Sequence, residues 1–149
     1  MEKGIKLSPK QLANTSQDLL ALGFKVRFRV MGESMEPTIL AGDLLTVAPI
    51  ERDKIRLGQV VMIISDQGRA IVHRVVSCQK NGKRKLIQTC GDNASVKDRP
   101  IEKIQVLGEI VEVQRGCSRV NSSCFLNGIR ALWYLIRACR VSEHIEKDS

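Results

Sequence analysis

A mostly β domain is what this sequence predicts: a coiled antiparallel, barrel-like sheet with one helix before it and one amphipathic helix after it. Three observations carry that expectation. Short apolar or alternating runs recur along the middle of the chain, at residues 24–30, 44–47, 59–64, 70–77, 85–89 and 106–113. Glycine turns separate them, with Asn81-Gly82 the strongest hairpin signal. Helical character is confined to the two ends.

The first element is a helix from Pro9 to about Leu22. Ser8 can cap it, Pro9 suits its first turn and Gln11 completes a capping box, while Gly23 is its stop. Leu12, Leu19 and Leu22 are expected to be its packed side. Phe24 to Val30 then alternates apolar and basic residues, the mark of a strand with one buried face. Gly32 allows a turn, and Pro37 prevents simple continuation of the ladder because it has no N–H. Leu44 to Val47 is a short strand and Pro49 to Arg56 a polar loop. Gln59 to Ile64 pairs through Asp66-Gln67-Gly68 with Ala70 to Ser77, and Asn81-Gly82 leads into Lys85 to Thr89. After the Gly91–Pro100 loop, Val106 to Val113 closes the sheet. Arg115 to Ser123 resembles a linker, and Phe125 to Ala138 a helix with Arg130 and Arg137 on one side. The expected organisation is therefore 1–23, 24–114 and 115–149.

The chemistry-bearing stretch is Gly32-Glu33-Ser34-Met35-Glu36-Pro37-Thr38. A serine in a turn at the end of a strand can expose its hydroxyl and leave its N–H free for an oxyanion. A serine in a glycine-containing turn is more often only a turn residue. His73 stands in the apolar run Ile71 to Val76, where a histidine is usually structural. Two carboxylates, Asp92 and Asp98, occupy the next turn-rich segment. Ser34, His73 and either aspartate could form nucleophile, base and orienting acid. Met35 is expected to pack beneath the site, and Gly42-Asp43 to form a turn.

In this order, Ser-Met-Glu-Pro-Thr, Gly42-Asp43, His-Arg-Val-Val and Gly-Asp-Asn resemble the type I signal peptidase family and the related self-cleaving repressors. The resemblance runs from about Arg27 to Val113. It implies a serine endopeptidase acting on a peptide or protein precursor. Most bacterial members use lysine as base; His73 at that position resembles the archaeal and endoplasmic-reticulum branch. By that match Ser34, His73 and Asp98 are catalytic, and Asp92, Gly32, Met35 and Pro37 support them. Many relatives carry a hydroxyl where Gly32 stands, so an oxyanion donor is missing here. An imidazole with its ordinary pKa of about 6.5 serves as base at neutral pH, but it needs an acid to hold its tautomer. The alternative is an inactive or regulatory binding domain that keeps the fold. A self-cleaving repressor needs a DNA-binding domain, which the residues before Phe24 are too few to hold.

Composition narrows the classes further. With 43% hydrophobic residues the chain should fold, and with 3% aromatics it lacks base-stacking surfaces, so no nucleic-acid partner is expected. The net charge of +8 is scattered and fits solvated faces. Cys78, Cys90, Cys117, Cys124 and Cys139 form no C-x-x-C pair, which fits free thiols in a reducing compartment and no zinc site. No cofactor or metal is implied. No signal peptide or spanning helix is evident, so a cytoplasmic location is expected. Residues 124–141, with Trp133, Tyr134 and a basic side, could add peripheral membrane contact.

Overall fold

A computed structural model describes residues 4–121 of the 149. Helix α1 (Pro9–Ala21) is followed by strands β1 (Val26–Arg29), β2 (Leu44–Ala48), β3 (Val60–Ile64), β4 (Ala70–Asn81), β5 (Arg84–Cys90), β6 (Ile101–Glu102), β7 (Val106–Arg115) and β8 (Ser118–Asn121). Short 3-10 turns at Arg52–Lys54 and Lys103–Gln105 interrupt the loops. The strands form one curled antiparallel sheet in the order β1-β2-β7-β3-β4-β5-β6, with β8 added to β7. The mostly β, coiled antiparallel class expected from sequence is what the chain adopts.

The capping box forms as the sequence spells it. Gln11 N donates to Ser8 Oγ at 3.2 Å, and Ser8 N donates to Gln11 Oε1 at 2.9 Å. Such a cap stabilises a helix by about 1 kcal/mol. The packed face differs from the leucine stripe. Ala13, Ser16 and Leu20 are buried, whereas Leu19 and Leu22 are exposed and Leu12 is half-buried. Small residues let the helix lie close to the sheet. Leu20 reaches β7 at Gly108, where a Cβ would stand 2.6 Å from the Ala48 carbonyl and 3.1 Å from Leu20 Cδ1. A larger residue at Gly108 would hold helix and β2 away from the strand.

The apolar run of β3 is continuous because both of its faces are buried. Val60 and Met62 enter a cluster with Leu45, Val47, Ile110, Met35, Ile39 and Leu20. Val61 and Ile63 enter a second cluster with Val75, Ile87, Ile101 and Val106. Each such burial contributes about 1.5–3 kcal/mol, so the two clusters together hold both faces of the sheet.

The position of β7 corrects the expectation that it closes the sheet. It is an interior strand, paired to β2 through Leu44↔Gln114 to Ala48↔Glu109 and to β3 through Val61↔Glu109 to Ile63↔Val106. The stretch expected as a linker is also different. Arg115 ends β7, and Ser118–Asn121 turns back to pair with Glu112–Arg115. The helix expected at 125–138, the membrane contact at 124–141, Cys124 and Cys139 lie outside the described residues. Cys78, Cys90 and Cys117 are in no disulfide among the described residues, and the buried Cys90 thiol donates to the Gly91 carbonyl at 3.4 Å. Among the described residues no helix is long and apolar enough to cross a membrane.

Candidate active site

Three segments distant in sequence meet at one rim of the sheet. Ser34 lies in the turn-rich loop between β1 and β2. The neck of that loop is closed by Val30 N donating to the Asp43 carbonyl at 2.9 Å and Gly42 N donating to the Val30 carbonyl at 2.8 Å. Met35 and Ile39 anchor the loop in the core at 3% and 1% exposure, while Ser34 itself is exposed. Pro37 follows a cis peptide bond and is also exposed. Gly32 does not have a positive φ, and a Cβ there would meet nothing within 4 Å, so the backbone does not demand glycine at that position.

His73 belongs to β4, where it pairs with Val61 of β3. At the next residue the other side of β4 takes up β5, beginning at Arg74↔Cys90. The imidazole is therefore held where β4 passes from one paired neighbour to two. His73 Nε2 lies 3.1 Å from Ser34 Oγ, and His73 Nδ1 lies 2.5 Å from Asp98 Oδ2. Asp98 is fixed against β5 by three bonds. Thr89 Oγ1 donates to its Oδ2 at 2.7 Å, its N–H donates to the Thr89 carbonyl at 2.8 Å, and Gln88 Nε2 donates to its carbonyl at 2.9 Å.

Asp92 faces elsewhere. Its carboxylate receives Arg74 Nε at 2.8 Å, Arg74 Nη2 at 2.7 Å and Thr38 Oγ1 at 2.6 Å. Both side chains are essentially buried, at 0% for Arg74 and 1% for Asp92. Arg74 Nη1 also donates to the Gly58 carbonyl at 2.9 Å. This two-pronged pair ties the loop bearing Ser34 to the residue after His73. Of the two aspartates left open by the residues alone, Asp98 is on the imidazole and Asp92 is on the guanidinium.

Thr89 and Arg115 are neighbours of the site that the sequence did not single out, while Gly91, Thr38 and Arg74 lie inside its motifs but were given no role of their own. Gly91 N-terminal to Asp92 lies so close to the serine turn that a Cβ would stand 2.5 Å from the Ser34 carbonyl and 3.1 Å from His73 Nε2. Asn93 then stitches the two loops together, with its N–H donating to the Ser34 carbonyl at 2.9 Å and its Nδ2 to the Glu33 carbonyl at 3.2 Å. The Gly-Asp-Asn and Ser-Met-Glu-Pro-Thr boxes mark the two partners of these contacts in the sequence. Behind the loop neck, Asp43 is buried and accepts from Leu40 N and from Arg115. The Arg115 guanidinium, followed by the Leu40 N–H, holds the Asp43 carboxyl below its ordinary range against the opposing effect of burial. Asp43 in turn raises the pKa of Arg115.

A hydroxyl, an imidazole and a carboxylate in line can carry out the proton transfers of nucleophilic catalysis by serine. Comparison with known proteins places the chain more closely. The Peptidase S24-like family model matches residues 10–111, and the chain belongs to that family. It is 41% identical over 78 residues to the human signal peptidase complex catalytic subunit SEC11C, covering 50% of this chain and 40% of that protein. It is 36% identical over 70 residues to signal peptidase I W of Bacillus subtilis, covering 46% of this chain and 37% of that protein. The matched region thus spans about two fifths of the length of these relatives. At the level of family the chain belongs with the signal peptidase-like serine peptidases.

Proposed function

We propose that the chain is a serine endopeptidase that cuts an extended segment of a peptide or protein precursor, with Ser34 as nucleophile, His73 as general base and Asp98 as the acid that orients it. The observation that carries this is the line Ser34 Oγ, His73, Asp98, with 3.1 Å and 2.5 Å between successive partners. With Nδ1–H donating to Asp98, the Nε2 lone pair faces the serine hydroxyl. Nε2 takes the hydroxyl proton as Oγ attacks the scissile carbonyl, and returns it to the leaving amine as the acyl-enzyme forms. A water then attacks the acyl-enzyme, giving its proton to the same nitrogen, and Ser34 is released. The Ser34 N–H makes no hydrogen bond to the described residues, which leaves it free to donate to the oxyanion.

The strand edges fit an extended substrate. On one side β4 pairs with β3 from Ala70 to Arg74; on its other side β5 pairing starts only at Arg74. Residues 70–73 therefore present an unpaired edge that ends at His73. A peptide adding to that edge as a strand would bring its backbone to Ser34 in the conformation that attack requires. The resemblance to signal peptidases favours small side chains just before the cut. From the sequence, residues 124–141 are a candidate peripheral membrane contact, tested by liposome flotation of chains with and without them.

The deciding experiment is cleavage of a peptide library by the parent and by Ser34→Ala. Cleavage by the parent that drops to background in the variant is the expected result. Equal cleavage by both, or none by the parent, would overturn the reading.

A further inference from the structure

We infer that Arg115, at the end of β7, is a positioning residue for the Ser34 loop, clamping its neck through Asp43 and Thr38. The inference deepens the peptidase reading and rests on it for its kinetic consequences, while its structural core stands on geometry alone. Arg115 lies beyond the family match, in the stretch the sequence presents as the start of a linker.

The clamp is built from four contacts. Arg115 Nε donates to Asp43 Oδ1 at 2.9 Å, and Arg115 Nη2 donates to Asp43 Oδ2 at 2.7 Å. The same Nη2 reaches the Thr38 carbonyl at 3.5 Å. Asp43 Oδ2 accepts from Leu40 N at 2.8 Å. Asp43 is buried at 3% exposure, so its charge depends on that fork, while Arg115 is half-exposed at 47%. Asp43 also supplies the carbonyl that accepts from Val30 N at the loop neck. Strand β7 thereby holds the C-terminal half of the Ser34 loop from one side. The Thr38–Asp92–Arg74 contact holds it from the other. Thr38 is the residue both anchors share: its carbonyl faces Arg115 and its hydroxyl donates to Asp92.

With both anchors in place the loop has little freedom to move Ser34 relative to His73. With Arg115 removed, the neck keeps its backbone bonds but loses its tie to β7. Misplacement of reacting groups by about 1 Å can cost roughly a hundredfold in rate.

Three chains test this: Arg115→Ala, the double variant Arg115→Ala with Asp43→Asn, and Ser34→Ala as the activity control. The double variant removes the buried unpaired charge and leaves an amide oxygen for Leu40 N, so it separates lost stability from lost positioning. Amide hydrogen exchange is read at Asn93, whose N–H donates to the Ser34 carbonyl, and in β3. The expected result is Asn93 exchange faster by roughly tenfold in both Arg115 variants, with β3 unchanged in the double variant. The kinetic arm expects kcat for Ser34-dependent cleavage to fall by roughly tenfold or more with KM near the parent value, and to stay low when the double variant regains melting temperature. Unchanged Asn93 exchange in Arg115→Ala would overturn the inference, as would kcat that recovers fully with melting temperature in the double variant. A parent without Ser34-dependent cleavage defeats the peptidase reading instead, and the exchange measurement still decides the clamp.

Discussion

Gly91→Ala should separate Ser34 from His73 without altering either residue. The added Cβ would stand 2.5 Å from the Ser34 carbonyl oxygen, 3.1 Å from His73 Nε2 and 3.2 Å from Ser34 Cβ. Ordinary contact begins near 3.4 Å, so the serine backbone must retreat by 3.4 − 2.5, about 0.9 Å. The nearest atom is backbone, so no rotamer change relieves the clash. The Asn93-to-Ser34 bond of 2.9 Å lies across the same gap and must lengthen or break. Overpacking of this kind costs about 1–3 kcal/mol of stability. A shift approaching 1 Å at the nucleophile should lower kcat by roughly a hundredfold. The control is the same change at Gly32, two residues before the serine, where a Cβ meets nothing and φ is ordinary. Steady-state cleavage, thermal melting and the exchange rate of the Asn93 amide would be measured in both variants. A Gly91→Ala chain with kcat within threefold of the parent, or with no more effect than Gly32→Ala, would refute the steric reasoning.

Other perturbations have equally defined outcomes. Asp98→Asn should leave the fold intact, since the Thr89 and Gln88 bonds to its backbone survive, yet lower kcat by about 10⁴ through the wrong imidazole tautomer; a pH–rate profile and melting curve check both halves. Asp92→Ala removes the carboxylate that forks onto the buried Arg74 and should cost about 3–5 kcal/mol in urea unfolding, whereas a similar change at exposed Glu51 should cost almost nothing. Asp43 has a folded-state pKa lowered from 3.8. Its contribution to stability is therefore complete above that unfolded value and is lost as pH falls through the lower folded value. Melting temperature followed from pH 6 towards pH 2 should fall more steeply in the parent than in Asp43→Asn.

How much of this was legible beforehand depends on whether the cause was local. The cap of α1 was legible because Ser8, Pro9 and Gln11 satisfy helix-end groups within one turn. Its packed face was not, because closeness to β7 selects Ala13 and Ser16 over bulkier leucines, and Gly108 on the partner strand decides that closeness. The place of β7 was hidden for a related reason. Its apolar pattern shows that it is buried but not which strands flank it. Hairpins such as β4–β5 were readable from Asn81-Gly82, whereas the β2–β7 ladder joins residues far apart in the chain. At the site, Ser34, His73 and the two aspartates stood out because their residue types occur in a recognisable order. Thr89 and Arg115 carry no such local mark, since each matters only through a carboxylate on another segment.

The middle place of β7 has a consequence for synthesis. Every group proposed to take part in bond cleavage is encoded before Val106, yet β2 has no ladder to β3 except through the strand that begins there. A nascent chain that stops short of it holds the hydroxyl on one ribbon and the ring on another, without the strand whose ladders join them. On the proposed peptidase reading, competence to cut arrives late, with the strand that welds the two ribbons, and a growing polypeptide is spared an active blade while it is still unfolded.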